Sequence, residues 1–197
     1  MDILVGLNQF DRGNVIIDEN VMTIPYSKEM RKTIFLLPVE SITIEYLTAL
    51  ENMDYFKHIF ELNKSGDEIV QILQAYKLEQ ESGLVKGFST GMRKRLDLAI
   101  LDMISPDIML LDEPSLGLDV FHVDFLRKRL LAYKELGKTL IITSHDMALS
   151  NRIADRIYLF NNNQIIEYDA DDVNSEEMVL STYDADTATD SDATDGE

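Results

Sequence analysis

The chain is 197 residues long, enough for one domain with a substantial core, and its 45% apolar and 27% charged composition is that of a globular protein. A formal net charge of -18 argues against a basic face for nucleic acid or anionic lipid, and the lack of cysteine excludes disulfides and thiolate metal sites. No apolar run reaches the roughly 20 residues that span a bilayer, so membrane contact is expected only through a partner protein.

In chain order, Asn14–Asp18 reads as a short strand after the turn Asp11-Arg12-Gly13, and Thr33–Leu37 as an apolar strand closed by Pro38. From Tyr46 to about Tyr76 the pattern turns helical. Leu47, Leu50, Met53 and Tyr55-Phe56 repeat at helical spacing, as do Ile69, Ile72, Leu73 and Tyr76. Residues 63–66 separate these two helices, with Asp67 as the expected N-cap of the second. Gly87 and Ser89 open a third helix, with Met92, Leu96, Ala99, Ile100 and Met103 on its buried face and Ser105-Pro106 at its end.

Ile108–Leu111 is apolar at every position, which suits a strand covered on both faces. A helix is expected from about Asp119 to Leu136 with Gly137 at its end, then a buried strand over Thr139–Ile142 and a short helix over Met147–Ala154. Ile157–Phe160 and Gln164–Tyr168 form a hairpin around Asn161, Asn162 and Asn163. Strand–helix–strand alternation predicts an α/β domain with a mostly parallel sheet, over residues 1–182, with an inserted helical subdomain at about 45–96. From Glu167 onward there is no Lys or Arg and about a dozen of the 36 acids, so residues 183–197 read as a disordered acidic tail.

Two places carry chemistry. Asp112-Glu113 follows an all-apolar strand at its carboxyl end, where open α/β sheets bind ligands. Asp112 there can hold Mg²⁺ while Glu113 orients or deprotonates a water. Alone, a D-E-P would be read as a turn after a strand. Ser89, Thr90 and Gly91 precede a helix, so their N–H groups point out of its positive end toward a phosphate, with Gly91 allowing close approach. Alone, this would be an ordinary N-cap serine. His145, beyond another strand end, can hydrogen-bond a terminal phosphate, whereas His58 and His122 are given no chemistry. Gly137-Lys138-Thr139 follows a helix and precedes a strand, the reverse of a phosphate loop, and is read as a helix end.

F-S-T-G-M at 88–92, I-M-L-L-D-E-P at 108–114, S-L-G-L-D at 115–119 and T-S-H-D at 143–146 together resemble the ATP-binding cassette (ABC) transporter ATPases. The resemblance implies a P-loop NTPase-like fold that binds ATP and Mg²⁺. It makes Ser89, Thr90, Gly91 and Met92 the signature loop, Asp112 the Walker B aspartate, Glu113 the catalytic carboxylate, Asp119 the end of the D-loop and His145 the switch histidine. It further implies a second ATPase subunit in a head-to-tail dimer, a transmembrane permease docked on the helical block, and a location on the cytoplasmic face of the membrane.

Three departures stand out. The signature reads F-S-T-G-M rather than L-S-G-G-Q, and G-M followed by basic residues is similar to exporter cassettes. Val39 replaces the glutamine of the family's L-P-Q-E, so that side chain cannot ligate Mg²⁺ or contact water, and its coupling is either lost or passed to Glu40. No G-x-x-x-x-G-K-[ST] occurs in the chain. Residues 1–7 resemble the helix that follows that loop and residues 13–18 the next strand, so the chain is expected to lack the N-terminal strands and phosphate loop. Two readings follow: an ATPase subunit of an exporter truncated at its N-terminus, or an inactive cassette-like protein that lends only its signature face to a partner.

Overall fold

The computed structural model describes residues 1–161 and 164–169, and the acidic tail expected over 183–197 lies outside them. The chain divides into two compact units, Met1–Ser144 and His145–Glu197.

The first unit begins with one helical turn, Leu4 N–H donating to the Met1 carbonyl at 2.8 Å, that stops at Gly6, whose φ is 74°. The Tyr26 ring lies so close that a Cβ on Gly6 would come within 3.2 Å of it, and the Tyr26 hydroxyl donates to the Leu4 carbonyl at 2.9 Å. The strand expected at 14–18 is shorter. β1 (Ile16–Ile17) pairs antiparallel with β2 (Asn20–Val21) through Asp18 and Glu19, both at positive φ, the geometry of a tight type I′ hairpin.

After α1 (Met30–Thr33), β3 (Ile34–Leu37) enters a three-stranded parallel sheet with β4 (Ile108–Asp112) and β5 (Thr139–Thr143), in the order β3-β4-β5. The all-apolar β4 is central, and Met109, Leu110 and Leu111 are fully buried. β5 departs from expectation. Among the described residues it has a ladder partner on one side only, Thr139, Ile141 and Thr143 are exposed, and Leu140 and Ile142 are half-buried.

Between β3 and β4 lie three helices. α2 (Ala49–Ile59) and α3 (Gly66–Ala75) each start with a capping box, Thr48 with Glu51 and Ser65 with Glu68. The cap expected at Asp67 is therefore Ser65. Its hydroxyl reaches the Glu68 N–H at 3.2 Å while Glu68 reaches back to the Ser65 N–H at 2.9 Å, leaving Asp67 in the first turn. Asn52, fully buried, spends its whole amide on the backbone of Ile44 and Thr48, pinning the approach to α2. α4 (Thr90–Ile104) ends at Ser105, in the left-handed region at φ 48°, before Pro106. Of its expected core face, Leu96, Ala99, Ile100 and Met103 are buried and Met92 is half-buried. Leu98, Leu101, Lys94 and Asp97 are buried as well, so α4 is enclosed nearly all round.

α5 (Val120–Glu135) packs against β5, capped by Asp119 and followed by Gly137 at φ 74°, as expected for a helix end. Arg129 on α5 pairs with the nearly buried Asp102 on α4 and lies 5.6 Å from the centre of the Tyr133 ring. The second unit holds α6 (Met147–Ile153), capped by Asp146, and the antiparallel hairpin of β6 (Arg156–Asn161) and β7 (Gln164–Asp169). Leu149, Ile153 and Ile157 are its buried residues among those described.

Candidate functional site

β4 ends at Asp112, and the chain turns at once. Glu113 has φ 46°, in the left-handed region that a non-glycine residue seldom adopts. β5 holds it there. The Glu113 N–H donates to the Thr143 carbonyl at 3.1 Å and lies 3.3 Å from the Thr143 hydroxyl oxygen, while that hydroxyl donates to Asp112 Oδ1. Thr143 is the ladder partner of Asp112, so one residue at the end of β5 sets the posture of both acids. Asp112 and Glu113 are each half-buried, with Pro114 buried behind them.

The start of α4 is the second component. Ser89 caps the helix, its hydroxyl accepting from the Met92 N–H at 3.2 Å. The Thr90 and Gly91 N–H groups are among the first of the helix and have no carbonyl one turn back to meet. Ser89 and Thr90 are exposed, so these donors face outward on the positive end of a 15-residue helix. Arg93, in the same turn, is turned back by hydrogen bonds to the Phe88 and Lys86 carbonyls and an ion pair with Glu45.

This helix start touches the loop that leads to α5. A Cβ on Gly91 would lie 3.4 Å from the Gly117 carbonyl oxygen, and one on Gly117 only 3.1 Å from Thr90 Cγ2. Gly91 therefore lies against Gly117 within this chain. Gly117 has φ 79°, so Gly117→Ala meets both strain and a methyl group. Its expected cost is ~1 kcal/mol, read as a lower urea midpoint at unchanged slope. Two residues on, exposed Asp119 caps α5, its Oδ1 accepting from the His122 N–H at 3.0 Å and lying 2.7 Å from His122 Nδ1. Those bonds, the backbone one first, hold the Asp119 carboxyl below its usual range. His145 opens the second unit, exposed, one residue before the cap of α6.

Among the described residues no cluster of three or more His, Cys, Asp or Glu side chains closes around a metal ion. The donors present nonetheless fit Mg²⁺, which is ordinarily held by one or two carboxylates and takes its remaining ligands from phosphate and water. The outward N–H groups at 90 and 91 likewise suit a phosphate oxygen.

Sequence reasoning misses three contributors. Thr143 belongs to the T-S-H-D motif but acquires a role only through its ladder position opposite Asp112. Lys94 and Asp97 have the composition of a polar helix start, yet they are 4% and 0% exposed. The available signal is a polar residue three positions from another along a helix, on the side that also carries Leu98 and Leu101.

A family model described as ABC transporter matches residues 1–116. The lantibiotic transport ATP-binding protein SrtF of Streptococcus pyogenes is 31% identical over 182 residues, which is 90% of this chain and 76% of that protein. Two other relatives, at 33% and 34% identity, are longer, and the chain spans 26% and 54% of their length. Among solved structures, an ATP-binding subunit of an ABC transporter superposes with a TM-score of 0.78 at 21% identity, covering 94% of this chain and 81% of that one. A dimeric ATP-binding cassette in a post-hydrolysis state, bound to ADP and phosphate, superposes with a TM-score of 0.70 at 23% identity, covering 86% of this chain and 78% of that one. The solved structures establish the α/β cassette fold, and the family match over residues 1–116 together with the 31% identical relative places the chain in the ABC transporter family.

Proposed function

We propose that the chain acts as the ATP-binding and ATP-hydrolysing subunit of an ABC transporter, meeting one face of a nucleotide with its carboxylates and the opposite face of a neighbour's nucleotide with the start of α4. The observation that carries this reading is the junction at the end of β4, where Thr143 fixes Asp112 and Glu113 together at the carboxyl edge of a parallel sheet. In this reading Asp112 holds Mg²⁺, and Glu113 orients the attacking water and takes its proton on a carboxylate oxygen. Bound Mg²⁺–ATP supplies the transferable phosphate and neutralises the charge that builds on it. Ser89, Thr90, Gly91 and Met92 donate to the phosphate of a nucleotide seated on a second subunit, Asp119 faces that subunit, and His145 serves the terminal phosphate.

No G-x-x-x-x-G-K-[ST] occurs in these 197 residues. The cradle for the inner phosphates must therefore come from outside them, and the 197-residue chain alone is expected to turn over no ATP. This same observation supports the second reading, a cassette that contributes only its signature face. Export is the direction favoured, by the G-M-basic signature. A permease would dock on the helical block at about 45–96 of a cassette over 1–182, placing the chain on the cytoplasmic face. No helix of the described residues is long and apolar enough to cross a membrane.

The test is Mg²⁺-dependent ATP hydrolysis by the complex that purifies with the tagged full chain from its own cells. Ser89→Arg puts a bulky cation at the tip of α4 and is expected to reduce hydrolysis to background. Undiminished hydrolysis in that variant overturns both readings.

A further inference from the structure

Two charged side chains on α4 point into the molecule rather than out of it. Lys94 is 4% exposed and Asp97 0%, and ions so placed are strongly disfavoured unless something holds them. What holds them is one loop. Lys94 Nζ donates to the Pro38 carbonyl at 3.4 Å, while Asp97 Oδ1 accepts from the Ser41 hydroxyl at 2.8 Å and from the Ile42 N–H at 3.1 Å. The two residues are three positions apart on the helix, so they lie on one side of it and grip both ends of residues 38–42. Asp97 Oδ2 is buried without a hydrogen bond among the described residues.

The position of that loop matters. It leaves the carboxyl end of β3, where Leu37 is the ladder partner of Leu111, one residue before Asp112. It carries Val39, which is exposed and has no polar atom in its side chain, and Glu40. Burial pushes the Lys94 ammonium below the usual lysine range, against an opposing pull from Asp97, Asp112, Glu113 and Glu40 in that order. A single buried cation thus stands where α4, the 38–42 loop and the carboxylate pair converge.

We propose that Lys94 and Asp97 are positioning residues that fasten the 38–42 loop to α4, so that the loop moves with the helix whose tip meets phosphate. The loop is then coupled to the site through its backbone and Ser41, the coupling that the Val39 side chain cannot make. The functional half of this inference rests on the proposed role of residues 89–92 and 112–113. The tether itself does not.

Amide hydrogen exchange on the full 197-residue chain tests the tether without nucleotide. Asp97→Ala is expected to speed exchange at Ile42 and its neighbours by ~tenfold or more, with residues 96–104 unchanged. Asp97→Asn keeps the acceptor and is expected to restore protection. Lys94→Met loosens the same loop, and Lys94→Gln, which keeps an N–H donor, recovers it. Unchanged loop exchange in Asp97→Ala and Lys94→Met overturns the proposal, and so does a parallel rise across 96–104, which would mean a general loss of folding. In the purified complex, Lys94→Met should lower ATP turnover by ~tenfold with KM within about twofold, the signature of lost positioning and not of lost binding. Turnover equal to the parent overturns the positioning role. If hydrolysis by the parent is indifferent to Ser89→Arg, the functional reading has failed, and the exchange result alone then decides the tether.

Discussion

Glu113→Gln is expected to lower Mg²⁺-dependent ATP hydrolysis by the purified complex ~10²-fold or more, the usual loss when a positioned general base is removed. Glutamine keeps the shape of the side chain and the backbone hydrogen bonds from the Glu113 N–H to Thr143, so the turn after β4 should survive. It cannot take a proton from water. Circular dichroism and the urea midpoint should match the parent, which separates lost chemistry from lost folding. The outcome also divides the two functional readings. A chain that hydrolyses its own nucleotide and meets its neighbour's with the start of α4 loses activity through Glu113→Gln and through Ser89→Arg. A chain that lends only its signature face loses activity through Ser89→Arg alone.

The second large effect concerns stability. Burial raises the Asp97 carboxyl to about 6, against the lowering influence of Ser41, Lys94, the Ile42 N–H and Arg93. A carboxyl that holds its proton more tightly when folded favours the folded state most at pH below its unfolded value. That advantage fades as pH rises through about 6 and stays lost above it. Asparagine retains the acceptor for Ser41 and Ile42 and never ionises. The stability of Asp97→Asn minus that of the parent should therefore grow by ~1–1.5 kcal/mol between pH 5 and pH 8, since tenfold tighter proton binding corresponds to about 1.4 kcal/mol. Urea unfolding of the two chains at both pH values measures it. A difference that stays flat would mean that Asp97 is already neutral, or is paired well enough to feel no burial.

The fold is largely legible in the sequence because its signals are local. Apolar 108–111, the serine before α4, and Gly137 after α5 each dictate backbone geometry through a few neighbouring residues. The same holds for the candidate site where it is written in motifs, as at 89–92 and 112–113. What cannot be read depends on contacts distant in sequence. Thr139–Ile142 has the composition of an interior strand, but its burial is set by how many strands flank it, and among the described residues β5 has one. Ser65 outcompetes Asp67 as a cap because Glu68 completes its reciprocal pair, a choice between two chemically suitable residues. Lys94 lies in the basic run Arg93-Lys94-Arg95, where three cations oppose the helix dipole and nearby phosphate is one candidate for what offsets that disfavour. Only the fold reveals that Arg93 turns back onto the backbone at 86 and 88, that Arg95 donates to the Tyr76 carbonyl, and that Lys94 turns inward to Pro38.

The methyl group of Thr90 resting on Gly117 has a consequence for assembly. In a head-to-tail pair both segments would be offered to the neighbouring subunit, and because they abut, they would arrive as one preformed rim instead of two independent fingers. A substituent at 117 would splay that rim before any neighbour arrived, so the pairing surface would be spoiled by a change that removes no donor, no acid and no charge.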